Sequence, residues 1–171
     1  MHAWSIRRGV ALTAVGLAVQ TACWALPAST FAQDTHVRID SSPGGWPANV
    51  HLNVAPLASA FTIQKKSRGV WIYFVDSGTP WEFEFGAPFT LPFGAGVYDS
   101  AGADYTALYM PKLQIKYDDS YTTTPYGSFE VRQARRDAQG NFTSLWVSFR
   151  HVAGTPDRPP LIGEIRWNAD T

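Results

Sequence analysis

Trp81-Glu82-Phe83-Glu84-Phe85 is the stretch that decides the fold. Three aromatic residues alternate with two carboxylates, so one side of the segment is apolar and the other charged. A strict period of two is the pattern of a β-strand with one buried face; a helix would scatter these side chains around its axis. The period recurs in both directions. Val50, Leu52 and Val54 alternate with Asn49, His51 and Asn53 over Ala48 to Val54, and Ser59 to Lys65 follows as a second segment. Val70 to Val75 is apolar on both phases and reads as a central strand covered on both sides. Leu113 to Tyr117 is a shorter strand. Phe129 and Val131 alternate with Glu130 and Arg132, and Leu145, Val147 and Phe149 with Trp146, Ser148 and Arg150. Leu161, Gly163, Ile165 and Trp167 alternate with Ile162, Glu164 and Arg166.

No run carries a helical period for more than two turns. About eight short strands broken by Gly, Pro, Asn and Asp predict an all-β fold, an antiparallel β-sandwich or a closed β-barrel. The alternation places Trp81, Phe83, Phe85, Phe129, Val131, Leu145, Val147, Phe149, Ile165 and Trp167 in one core. It leaves Glu82, Glu84, Arg132 and Arg150 exposed. Asp137-Ala138-Gln139-Gly140-Asn141 has the chemistry of a hairpin turn, with glycine where a left-handed residue is needed. The sequon Asn141-Phe142-Thr143 is read as part of that turn.

The first 32 residues read as a signal peptide. Arg7 and Arg8 precede an uncharged apolar run, Gly9 to Ala22, too short to span a bilayer comfortably. Thr30-Phe31-Ala32 places small residues at the −3 and −1 positions of a cleavage site, and Ala28 is a second candidate. The residues after Arg8 lack the twin-arginine pattern, and Gln20 stands where a lipobox before Cys23 wants Leu. Residues 33–171 are then a single all-β domain, secreted or periplasmic. The 14 basic and 14 acidic residues of the chain balance, and Arg7 and Arg8 leave with the leader, so the mature chain carries about −2. That charge offers no electrostatic footprint for nucleic acid. The single cysteine, Cys23, also leaves, so stability must come from packing. Of 7 Trp, 7 Tyr and 10 Phe, only Trp4, Trp24 and Phe31 precede residue 33. An outer-membrane barrel would need longer strands with a uniformly lipid-facing side, so no transmembrane segment is expected in the mature chain.

Chemistry is sparse. Phe74-Val75-Asp76-Ser77-Gly78-Thr79 matches the loop of aspartic proteases, which makes Asp76 the catalytic candidate, with Leu161-Ile162-Gly163 as a supporting strand. The chemistry needs two carboxylates sharing a proton, hence a homodimer. Asp-Ser-Gly-Thr-Pro between two strands is first of all a plain turn, and that reading is preferred to the protease. Glu82 and Glu84 could form a glycosidase pair or a solvated outer face. Asp99, Asp104, Asp118 and Asp119 match no calcium loop, and His36, His51 and His151 have no metal-ligand spacing. No metal or cofactor is implied. Trp46, Tyr109, Tyr121, Tyr126 and Trp146 fall in loops or on the outward phase of strands; as exposed rings they are candidates to stack on sugars or anchor a protein.

Several motifs in order resemble a family of small secreted bacterial β-domains. Trp81 to Pro88 is similar to its W-x-x-x-F-x-A-P strand end, and Leu91 to Tyr98 to its L-x-x-G-x-Y turn and strand. Gly127 to Val131 is similar to its G-x-F-x-V strand, and Phe142 to Phe149 to the strand that follows. Leu161 to Asn168 is similar to its terminal L-x-G-E-I-R-aromatic-N strand, and Ser42-Pro43-Gly44 to its S-x-P-G-D opening, with Gly45 replacing the acid. The resemblance implies a secreted β-fold and no particular activity. The family usually carries a cysteine pair, and Thr122 and Ala153 stand in those places here. The resemblance therefore implies that Thr122 and Ala153 lie within disulfide distance. The reading is a non-catalytic binding or structural module at the cell envelope or outside the cell, with an extracellular glycan or protein as partner. A carbohydrate-binding module, or a hydrolase using Asp76, is the alternative.

Overall fold

The computed structural model describes residues 33–57, 60–103, 108–121 and 126–171. In chain order the strands are β1 (Gln33–Ser41), β2 (His51–Val54), β3 (Thr62–Lys66), β4 (Gly69–Asp76), β5 (Thr79–Gly86) and β6 (Gly96–Ala101). They continue with β7 (Lys112–Tyr117), β8 (Ser120–Tyr121), β9 (Tyr126–Arg136), β10 (Phe142–Val152) and β11 (Leu161–Asp170). The described chain has eleven strands rather than about eight; β1, β6 and β8 are the additions. They form two antiparallel sheets, one of six strands in the order β2-β1-β11-β10-β9-β6 and one of five in the order β3-β4-β5-β7-β8. Both sheets keep open edges, so the closed-barrel alternative is corrected: the ladder never returns to its first strand.

The alternating residues explain why the sheets face each other. Val70, Ile72 and Phe74 on β4, Trp81, Phe83 and Phe85 on β5, and Leu113 and Ile115 on β7 are buried on one side of the smaller sheet. Phe129, Val131, Leu145, Val147, Phe149 and Ile165 are buried on one side of the larger. Rings interlock between the two: Phe83 lies 5.4 Å from Phe149, and Phe85 lies 5.2 Å from Phe129. All belong to one hydrophobic core, against which Trp167 is partly buried. Each fully buried phenylalanine contributes about 1.5–3 kcal/mol, which supplies the stability that a disulfide-free domain needs.

Both turns examined in the sequence are hairpins. Asp137 Oδ1 accepts hydrogen bonds from the Gln139 and Asn141 amides, at 2.9 and 2.8 Å, and Gly140 sits at φ 81°. Asp76 pairs with Thr79 across Ser77 and Gly78, whose φ angles of 49° and 86° suit the primed two-residue hairpin turn.

Two expectations about faces need correction. β4 is covered on one side only: Trp71 and Tyr73 are half-buried and Val75 is exposed. Glu82 and Glu84 are on the outer face but are half-buried rather than exposed, because lysines from the neighbouring strand close over them. Arg132 and Arg150 are exposed as expected. Ala153 is buried just after β10, while Thr122, Ser59 and Asp104 lie outside the described residues.

Candidate functional site

The outer face of the five-stranded sheet carries the most organised set of polar and aromatic groups. Strand register builds it in rows. Trp71 stands opposite Glu84, and Glu84 opposite Gln114. In the next row Tyr73, Glu82, Lys116 and Tyr121 follow one another from β4 to β8. Those on β4, β5 and β7 are on the phase opposite a buried residue, so the packing of Ile72, Phe83 and Ile115 inside fixes their display outside.

A shallow groove runs over this face, lined by Trp71, Glu82, Glu84, Gln114, Lys116 and Tyr121. Trp71 and Tyr73 stack, with centroids 5.8 Å apart and planes 11° from parallel. The Trp71 indole donates from Nε1 to Glu82 Oε2 at 3.2 Å, and the Lys116 ammonium donates to Glu82 Oε1 at 3.1 Å. Lys116 also reaches Asp119 at 3.0 Å. Those two carboxylates, Asp119 first, raise the pKa of Lys116. Lys112 Nζ meets Glu84 Oε2 at 2.7 Å with only 5% of the lysine side chain exposed. Burial lowers the Lys112 pKa, and Glu84 opposes that shift. The carboxylates and ammonium groups of the groove are thus prearranged by mutual bonds, with the Gln114 amide beside them, Trp71 on one flank and the 63%-exposed Tyr121 on the other.

Glu82 and Glu84 of the possible carboxylate pair lie in this groove, but the aromatic candidates are dispersed and only Tyr121 among them lies there. Trp46 is half-buried and packs 6.0 Å from His151. Trp146 lies on the outer face of the six-stranded sheet, where the Arg166 and Arg132 guanidiniums sit 4.0 and 5.1 Å from its ring. Arg166 is itself paired with Glu164 and Asp34. The Trp146 surface is therefore taken by cations. Tyr109 is exposed in a loop near Phe89, Leu91, Leu108 and Met110, and Tyr126 is exposed at the start of β9. Asp76 is at its hairpin turn. Trp71 and Tyr73 were not among the sequence candidates, because β4 reads as apolar throughout; the polar partners that turn them outward come from β5 and β7.

No protein-family model, no curated protein and no solved structure matches this chain.

Proposed function

We propose that residues 33–171 are a non-catalytic β-sandwich module that acts outside the cytoplasm, after cleavage of a leader ending near Ala32, and that its outer five-stranded face binds carbohydrate. The observation that carries this reading is the groove between Trp71 and Tyr121 with its fixed polar floor. A sugar ring presents an apolar C–H face and a rim of hydroxyls. An indole or phenol ring takes the first, and carboxylate, amide and ammonium groups take the second. A rigid sheet holds both kinds of group in place without ordering cost at binding. The absence of catalysis is supported by Glu82 and Glu84, each engaged by a lysine, which does not suit a carboxyl that must donate a proton. A protein partner is the second reading, favoured by the exposed apolar patch of Phe89, Leu91, Leu108, Tyr109 and Met110.

A glycan array probed with the purified protein tests the proposal. Trp71→Ala is expected to weaken binding to the captured glycan at least about tenfold, with an unchanged circular dichroism spectrum. An array without binding, or full binding by Trp71→Ala, overturns it.

A further inference from the structure

The aromatic groove continues into a second feature beyond Glu84. The next row of the sheet runs Lys66, Gly69, Gly86, Lys112 across four strands. Two glycines in adjacent strands leave the middle of this row without side chains, and the row forms a trough lined by Lys66, Ser67, Arg68, Glu84 and Lys112. Gly69 is required there, and Gly86 sits in a tight fit. A Cβ on Gly69 would stand 1.9 Å from the Phe85 carbonyl oxygen, and one on Gly86 3.1 Å from Lys112 Cβ.

Three cations and one carboxylate share this trough, in a chain whose formal charges balance. The carboxylate, Glu84, is engaged by Lys112. Lys66 and Arg68 flank the turn from β3 to β4 and lie close enough to Lys112 that their charges add to the effect of burial in lowering its pKa. Arg68 Nη1 donates to the Leu108 carbonyl at 3.0 Å, which orients the rest of its guanidinium fork. Lys66 Nζ lies 5.6 Å from the Trp71 ring centroid, so the trough and the aromatic flank adjoin. Glu84 lines both.

We propose that this face takes anionic sugars, with the ring against Trp71 and its carboxylate, sulfate or phosphate group in the trough between Lys66 and Arg68. The inference rests on the carbohydrate reading above. The exposed Lys66 and the half-buried Arg68 supply donors to the anion, and charge-assisted bonds of this kind are short and strong. Lys112 is paired with Glu84 beneath them, so the net positive charge of the trough is that of Lys66 and Arg68.

Equilibrium binding by the protein expressed from its full-length sequence is measured against polygalacturonate and its fully methyl-esterified form, dextran sulfate and dextran, and inorganic polyphosphate. Within a charged and neutral pair the sugar ring is the same. The charged polymer of at least one pair is expected to bind roughly tenfold or more tightly, and the pair showing it distinguishes carboxylate from sulfate. Arg68→Gln is expected to bring that ratio close to one, as is raising the salt from about 0.05 to 0.5 M. Equal affinity within both pairs overturns this inference and leaves the carbohydrate reading standing. No binding to any of the four polysaccharides overturns this inference as well, while the glycan array decides the carbohydrate reading. Polyphosphate bound as tightly as the sugar polymers, or a ratio untouched by Arg68→Gln, overturns the assignment of the trough.

Discussion

His151 ends the apolar phase of β10, after Leu145, Val147 and Phe149, and its ring is fully buried beside Trp46. Burial drives its pKa from 6.5 down to about 4. The folded protein therefore holds a neutral imidazole that the unfolded chain protonates at higher pH. Its contribution is complete above pH 6.5 and is lost as the pH falls toward 4, where the loss reaches about 3 kcal/mol. Chemical denaturation between those values should show stability declining with acidity, and His151→Leu should flatten that segment of the profile. The placement of His151 was legible because a period of two continues through it. Trp71 and Tyr73 were not legible in the same way. Their own strand offers only apolar neighbours, and what makes the outer face habitable for them is Glu82 and the stacking of the two rings, set by a register the linear pattern does not contain.

At the level of strands, the eight with an alternating or continuous apolar pattern were readable, and so were the turns at Asp76 and Asp137. The three that were not have identifiable reasons. β1 carries only Val37 and Ile39 as buried apolar residues, set among polar ones directly after the proposed leader. β6 holds Gly96, Asp99 and Ser100, and its register with β9 shifts between Tyr98 and Ala101. β8 is two residues long. β10 and β11 approach closely at Gly163. Gly163 stands opposite Phe149, and a Cβ there would come within 2.5 Å of Phe149 Cζ and 2.9 Å of the Arg38 carbonyl oxygen. Gly163→Ala should cost about 1–3 kcal/mol by overpacking. Replacing the ring as well, in Gly163→Ala with Phe149→Leu, should cost less than the sum of the two single changes in thermal denaturation. Simple additivity would mean that Gly163 is required for another reason.

Across the molecule, β1 and β11 join early and late sequence at the middle of the larger sheet. Gln33 pairs with Asp170, and the ladder runs on to Ser41 with Leu161. The two ends of the described domain thus lie side by side. A circular permutant that links residue 170 to residue 33 through a short glycine-serine segment, and opens the chain in the exposed loop at Asp157, should keep the fold, because every ladder survives. Near-ultraviolet circular dichroism checks this through the aromatic core; loss of that signal would show that the β10–β11 loop is needed for pairing.

The same pairing orders events in time. β1 lies between β2 and β11, yet one of its two neighbours is formed by residues 161–170. During synthesis β1 must wait, half-paired at best, until residues 161–170 have been made. Contacts so distant in sequence close slowly. The larger sheet therefore cannot close before residues 161–170 are in place, and until then one edge of β1 stays open to whatever else could pair with it.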